Sequence, residues 1–500
     1  MNLLRKTWIN FKAQPDIWFF YGFLLTFTLS IRKILYSLPL NSKFNEYSTA
    51  YLYLSDIFLF LAITSWMFII LRNNNHDLSI RAFISRLSIN KMFHVEHFSY
   101  SPILPIAILV TWSITSLIWA HNSNVAVFRL LKLIEFTLLI LFLRLNMKCS
   151  TWNNIKNILK ILILAGVLNS AIGIFQFIIQ GSLGLTWLRE SIIDRNAPYI
   201  AKIILHSEPF IRAYGLFPHP NILGGYLVLS ILSTFGYARL FHVEQSSSFK
   251  LLYRLIIAIQ AIALLLTFSK TALIGLIVAS FYILIKLNVP RGTLLNRLRV
   301  KMFRVEHLFK TSARRKAILS GLILLVFFLL IGPNIKSFLI TPAQDRILFA
   351  EIYTSMITTH PFIGFGIGQS VIEMTNFLHI HTIDWQLQPV HNVFMLIWTE
   401  LGIIGLMVFL LLLNRLFHVE QKIEPAMNIE CSTWNKSHCE VYDPIRNVPR
   451  GTVADTLNLS ILFKGILLGF IFIMLFDHYF WDIQQGELML WLVMGVIASF

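Results

Sequence analysis

The feature that most constrains this chain is a series of apolar runs recurring along its whole length, at 17–36, 51–71, 102–120, 126–145, 156–179, 221–239, 252–268, 271–286, 317–333, 392–413, 457–476 and 487–500. A run of about 20 residues crosses roughly 30 Å of hydrocarbon as a helix. In hydrocarbon every backbone polar group must be satisfied internally, which favours helices. With 56% hydrophobic and 13% charged residues and a mean hydropathy of +0.67, the composition lies far from that of soluble domains. The expectation is an all-α, polytopic transmembrane bundle of about 12 spans.

The formal net charge of +17 would suggest nucleic acid in a soluble protein. Here Lys and Arg gather in inter-helix loops, as positive-inside bias requires, and no nucleic-acid partner is expected. Loop 72–101 carries Arg72, Arg81, Arg86 and Lys91, and loop 287–316 carries Arg291, Arg297, Arg299, Lys301, Arg304, Arg314, Arg315 and Lys316. These loops, with 146–155, 240–251 and 414–456, are expected in the cytoplasm together with both termini. The outer face then receives loop 180–220, a large loop 334–391 between the ninth and tenth spans, and turns at 269–270 and 477–486. The three cysteines fall in loops placed in the cytoplasm and make no disulfide framework. The first apolar run follows Lys6 and Lys12 and has no small-residue cleavage pattern behind it, so no cleavable signal is expected.

Three short peptides recur. Met92-Phe-His-Val-Glu-His97 returns at Phe241–Gln245, Met302–His307 (with Arg304) and Phe417–Gln421; Asn288-Val-Pro-Arg-Gly-Thr293 returns at Asn447–Thr452, and Cys149-Ser-Thr-Trp-Asn153 at Cys431–Asn435. The pairing of His94 and His97 around a glutamate suggests a metal site. A single nucleotide palindrome, TGTTCCACGTGGAACA, nevertheless encodes all three peptides in its three frames. The repeats are therefore read as a dispersed DNA palindrome inserted into the gene, resembling the centromere-like sites bound by chromosome-partitioning proteins. Every copy falls in a loop placed in the cytoplasm, where exposed backbone tolerates insertion. That face is expected to be inactive.

Polar chemistry collects on the opposite face. Arg212-Ala-Tyr-Gly-Leu-Phe-Pro-His-Pro-Asn221 runs into the span that Asn221 opens. Arg212 offers a guanidinium suited to phosphate, Pro218 and Pro220 keep the chain extended, and Asn221 is expected to cap the helix, whose positive end adds to an anion seat. His219 is read equally as a ligand contact or a packed loop histidine. Ser269-Lys270 forms a tight turn in which Lys270 is a second phosphate clamp or a snorkelling lysine. Asp345-Arg346 and His360-Pro-Phe-Ile-Gly-Phe-Gly-Ile-Gly368 follow in the large loop. Gly364, Gly366 and Gly368 lack the strand and Lys-Ser/Thr of a nucleotide loop, and are expected to give close backbone approach or a sharp turn. His379, His381 and His391 lack zinc-site spacing, and no metal or other cofactor is expected. His391, next to Asn392 at the start of a span, is the candidate general base.

These knots in this order resemble the O-antigen ligase/polymerase family of bacterial membrane glycosyltransferases. The resemblance rests on Arg212-x-x-Gly-x-Phe-x-His-Pro-Asn221, Thr267-x-Ser-Lys270, Arg346 with His360-Pro-Phe-Ile-Gly-Phe-Gly366, and His391-Asn392 with Gly402 and Gly405. Gln176-Phe-x-x-Gln180 and Asp477-His-Tyr-Phe-Trp481 add to it. Lys270 stands where the family usually has arginine. The resemblance implies metal-independent transfer of a glycan from an undecaprenyl-pyrophosphate carrier to a hydroxyl of a lipid, glycan or protein acceptor, at the outer face of the bacterial cytoplasmic membrane. Arg212 and His391 would be catalytic, with Lys270, Arg346, His219, Asn221, Ser269 and Asn392 binding the pyrophosphate and substrate, and surrounding membrane lipid as the other partner.

Ligase and polymerase share these residues. A peptidoglycan-type polymerase would need an acidic catalytic residue that has no evident match. A flippase or exporter of lipid-linked sugars would need charges through the bundle, where Arg129, Lys132 and Glu135 are the exceptions. The palindrome is checked by sequencing the gene: most copies should carry TGTTCCACGTGGAACA, and synonymous codons that spoil it would end the explanation.

Overall fold

The computed structural model describes residue 11 and residues 14–72, 101–146, 151–197, 200–205, 208–240, 247–288, 335–378, 387–419 and 450–500. The apolar run 317–333, His94, His97, His379, His381 and the repeat copies at 92–97, 241–245, 302–307 and 431–435 lie outside the described residues. The described chain is mostly helical, and six of its helices are long and apolar enough to cross a membrane: Leu54–Arg72, Asn154–Ile179, Pro220–Leu240, Ser248–Leu266, Lys270–Leu287 and Val393–Phe417. Shorter apolar helices occupy Ile103–Ile118 and Asn458–Met474.

The bundle is organised around one buried helix. In chain order the helices are α1 (Pro15–Thr26), α2 (Leu54–Arg72), α3 (Ile103–Thr115), α4 (Ser123–Asn146), α5 (Thr151–Ile179), α6 (Pro220–Leu240), α7 (Ser247–Leu266), α8 (Lys270–Asn288), α9 (Ile335–Thr359), α10 (Ser370–Met374), α11 (Val393–Phe417), α12 (Arg450–Met474), α13 (Tyr479–Asp482) and α14 (Gln484–Ser499). Helix α6 is buried over nearly its whole length and packs on α5, α7, α8, α12 and α14. Small residues bring these helices close, as is usual where lipid replaces water as solvent. Gly275 of α8 lies against Gly469 and Ile473 of α12, while Gly465 of α12 meets Ile283, so the two run antiparallel.

The antiparallel pairings define two poles. At one lie Arg212, Asn221, Lys270, Asn392 and Asp477. At the other end α6, α8 and α11, and α5 and α12 begin. Residues near both ends of the chain lie there too: Asn146 Nδ2 donates to Asp16 Oδ2 at 3.3 Å, and Gly495 packs on Leu143. Each of those five helix ends adjoins a repeat copy.

Three expectations need correction. The run 17–36 is not one helix: α1 stops at Thr26, and Arg32–Ser37 forms β1, paired antiparallel with β2 (Thr49–Tyr53), where the run at 51 was expected to start a span. Its Ile, Tyr and Thr residues read as apolar, yet they suit a strand. Asn45 closes the loop by accepting from Tyr47 N at 2.9 Å, and the Asp56 carboxylate accepts from Tyr53 N at 2.9 Å to start α2. The described chain is thus mostly helical with few strands. Loop 180–220 likewise holds a hairpin of β3 (Lys202–Leu205) and β4 (Glu208–Ile211). The expected large loop opens with the helix α9, whose polar residues hid it from a search for apolar runs.

The glycine segment after α9 is a docking piece. Gly364, Gly366 and Gly368 all have positive φ, as does Gly402, which kinks α11. The kink frees main-chain groups that the segment then satisfies: Phe365 N donates to Thr399 O at 2.9 Å, Gly366 N to Glu400 O at 2.8 Å, and Ile403 N to Pro361 O at 2.9 Å. A Cβ on Gly402 would overlap the Phe362 carbonyl. Gly402→Ala therefore combines backbone strain of about 1–3 kcal/mol with a main-chain collision, whereas Gly184→Ala, with φ +79 and open space around it, meets strain alone. Thermal unfolding of the solubilised protein should show a clearly larger loss for Gly402→Ala; equal losses would remove this account.

Candidate active site

The stretch from Ile211 to Leu216 is strapped to one face of α5. Asn169, Gln176 and Gln180 recur at helical spacing, and each satisfies its backbone. Gln180 Oε1 accepts from Ile211 N at 2.7 Å, Gln176 Oε1 from Gly215 N at 2.8 Å, and Asn169 Oδ1 from Leu216 N at 2.9 Å. Gln176 Nε2 also donates to Gly215 O at 2.9 Å and to Glu190 Oε1 at 2.7 Å. Buried main-chain groups so paired cannot shift without leaving donors unsatisfied, which fixes the direction in which Arg212 leaves the chain.

Arg212 then links three segments. Its Nε donates to Thr267 O at 2.6 Å and an NH2 hydrogen to Asn221 Oδ1 at 2.6 Å, while Asn221 Nδ2 donates to Asp477 Oδ2 at 2.7 Å. Two readings of the sequence change here. Asn221 sits inside the first turn of α6 and bridges Arg212 to Asp477 instead of capping. The cap is supplied by His219, whose Nδ1 accepts from Asn221 N at 3.2 Å and whose carbonyl accepts from Ile222 N and Leu223 N. Gly224 and Gly225 complete the seat. A Cβ on Gly224 would press on Ser269 and Ala272, and one on Gly225 would overlap the Tyr479 hydroxyl. The two glycines let α6 nest between the Ser269 turn and α13.

Ser269 opens α8, with Ala272 N directed at its Oγ at 3.4 Å, and Lys270 is the first helical residue. Arg346 lies on α9. Its positive field opposes charge on Arg212, His219 and His391, and is felt at Lys270, so the cations expected from the sequence share one neighbourhood. Burial lowers Arg212 to about 10, which leaves it charged at neutral pH.

Asn392 caps α11 by accepting from Met395 N at 3.0 Å, and its Nδ2 donates to Leu475 O at 3.1 Å, tying α11 to the end of α12. The preceding residue, His391, stands edge-on to His478 with ring centroids 5.1 Å apart at 90°. His391 Nδ1 is buried with no hydrogen-bond partner among the described residues.

Sequence reasoning placed no role on Asp477, His478 or Asp482, yet they occupy the centre. His478 Nδ1 lies 2.8 and 2.9 Å from the two Asp482 carboxylate oxygens, and Asp477 Oδ1 accepts from His478 N at 3.1 Å. The signal was present in the spacing Asp477-His478-x-x-x-Asp482, which puts the imidazole and a carboxylate on one face of a single turn. A cavity of about 860 Å³ opens here. It is lined by His219, Asn221, His391, Asp477 and His478, and by Arg32, Tyr47, Tyr51 and Tyr53 of the first hairpin. His391, Asp477 and His478 present donor atoms within 4.8 Å of one another. A histidine pair and a carboxylate so gathered are a donor set that could hold a metal ion.

The three histidines differ in charge. Burial, then the Arg212, His478 and Arg346 charges, lower His219 to about 3. Burial and the His478 and Arg346 charges lower His391 to about 3 against the pull of Asp477. Burial also opposes charge on His478, but Asp482 and Asp477 outweigh it and raise this imidazole above its ordinary value. The site thus sets two imidazoles whose charge is strongly opposed beside one that takes up a proton more readily. No protein-family model matches the chain, and no curated protein is significantly similar to it.

The shifts have a stability consequence. His219 and His391 take up protons in the unfolded chain below about 6.5 but not in the fold until about 3, so stability falls as pH drops through that window. His478 has the opposite sign: its contribution is present below about 6.5 and is lost as pH rises through its raised folded value. Thermal midpoints measured from pH 7 to 4 should fall, and fall less in His219→Gln and His391→Gln. An unchanged slope in both variants would contradict the assignment.

Proposed function

We propose that this chain is a glycosyltransferase of the O-antigen ligase/polymerase type, moving a glycan from an undecaprenyl-pyrophosphate carrier to an acceptor hydroxyl. The observation that carries the reading is the convergence of residues from four separate segments, Arg212, Lys270, Arg346 and His391, at one pole, where His391 lines the cavity. In this reading the chain crosses a bacterial cytoplasmic membrane about 12 times. The site pole faces outward, and the repeat pole and both termini face the cytoplasm, which the basic loops support.

Each group has a task in the chemistry. A pyrophosphate leaving group gathers negative charge as the anomeric bond breaks, and preorganised cations at that point lower the barrier. Arg212 keeps its NH1 for this purpose while Nε and NH2 are held by Thr267 and Asn221. Lys270 contributes charge without a fork, so it acts as a point cation. An anion bound among Arg212, Lys270 and Arg346 also relieves their mutual repulsion, which gives the carrier a binding advantage over neutral lipids. The acceptor hydroxyl loses its proton to an imidazole of this pole, a role that the family resemblance gives to His391. The apolar bundle surrounding this pole suits the polyprenyl tail. A ligase and a polymerase differ in what enters as acceptor, and both use this arrangement.

The test is glycan transfer from a radiolabelled undecaprenyl-pyrophosphate donor by purified wild type, His391→Ala and Arg212→Ala that insert normally. Loss of about 10²-fold or more is expected in each, and Lys270→Arg should retain turnover. Near-normal rates in both alanine variants would remove the reading.

A further inference from the structure

The hairpin side of the cavity has chemistry that the carrier does not need. Arg32 lies over the Tyr51 ring with its guanidinium carbon 4.1 Å from the centroid, and its NH1 donates to the Tyr53 hydroxyl at 3.2 Å. Glu46 approaches the same guanidinium at 3.9 Å. The Tyr51 hydroxyl is buried and has no hydrogen-bond partner among the described residues. A buried unpaired hydroxyl calls for a ligand or a water. A wall that alternates aromatic faces with a cation, a carboxylate and a hydroxyl suits a ring rich in hydroxyl groups and repels an acyl chain, whose burial would strand those polar groups.

Between this wall and the cations stands His478. Its ring packs edge-on against Tyr47 at 5.6 Å on one side and against His391 at 5.1 Å on the other. Asp482 holds its Nδ1, which fixes the tautomer and orients the ring, leaving Nε2 to take a proton; a carboxylate-backed imidazole does the same in hydrolytic triads. His391 has no such carboxylate on its own Nδ1.

We propose that the hairpin wall is the acceptor subsite, that it takes a sugar acceptor, and that the His478–Asp482 pair removes the proton from the attacking hydroxyl. The inference rests on the transferase reading and specifies its acceptor half. The acceptor oxygen bonds to the anomeric carbon of the donor sugar as the bond from that carbon to the phosphate oxygen breaks. The electron pair leaves with the carrier pyrophosphate, held at Arg212, and the hydroxyl proton ends on Nε2 of His478, whose new charge is stabilised by Asp482. His391 positions His478 through the ring contact. The charged or titratable groups facing His478 are Asp482, Asp477 and Glu46, with Tyr47, His391 and His219 beside it.

The experiment compares wild type with Asp482→Asn, His478→Gln and Tyr51→Phe in three measurements: transfer kinetics across pH, binding of undecaprenyl pyrophosphate alone, and saturation-transfer NMR with soluble trisaccharides of glucose, galactose and N-acetylglucosamine. In Asp482→Asn, kcat should fall about 10²-fold or more, with the acid limb of its pH profile moved to lower pH and carrier binding unchanged. Tyr51→Phe should raise the acceptor KM several-fold at unchanged kcat and weaken the saturation transfer. Asp482→Asn turnover within threefold of wild type, an unmoved acid limb, or no saturation transfer from any trisaccharide would overturn the proposal. Failure of the transferase reading is separate: a wild type that binds no undecaprenyl pyrophosphate sinks that reading, whereas trisaccharide binding reads the wall without turnover.

Discussion

One chain of hydrogen bonds, Thr267 to Arg212 to Asn221 to Asp477, holds this pole together. Its members come from the turn between α7 and α8, the segment after β4, the first turn of α6 and the loop after α12. No neighbouring pair in sequence would make such a contact. It depends on distances set elsewhere, by the α5 glutamines that grip the backbone around Arg212 and by the glycine pair that seats α6 against Ser269 and Tyr479. A charged group held by two neutral acceptors, with a carboxylate one residue further out, is close enough to Asp477 for its charge to be balanced without a direct ion pair. A direct pair would have consumed the donors that phosphate recognition needs.

The electrostatics of the pole follow from the same packing. Three histidines sit within one small buried region, and their different neighbours divide them. Burial opposes charge on all three; nearby cations add to it at His219 and His391, whereas Asp482 and Asp477 outweigh it at His478 and raise that imidazole. Such splitting of like groups by environment lets one small region hold imidazoles of different proton affinity. The His219 imidazole is also structural, since it caps α6 through Asn221 N.

Much of this was legible in the sequence, and what was not has identifiable causes. Long apolar helices such as α5, α6 and α11 follow directly from run length. The first hairpin was hidden because β-branched and aromatic residues score as apolar in strand and span alike, and α9 was hidden because its composition is too polar for a span. Arg212, Lys270, Arg346 and His391 were found because a cation or imidazole beside an apolar run is conspicuous. Asn221 was found for the wrong reason: its position suggested a cap, and only the fold shows that Asp477 waits 256 positions away. Asp477, His478 and Asp482 sit in a short segment between apolar runs, where their spacing carried the information but no expectation gave it weight. The glycines of the 360–368 segment were read as allowing close approach, and the partner they approach is the kinked main chain of α11.

The separation of the two poles has a practical consequence. The helix ends next to the repeat copies lie a full helix length from the cavity. Those junctions, after Leu240 and after Phe417 in particular, are natural places to attach a fluorescent label, an epitope or a rigid fusion partner for imaging, because a load fixed there has no direct contact with the residues gathered around Arg212.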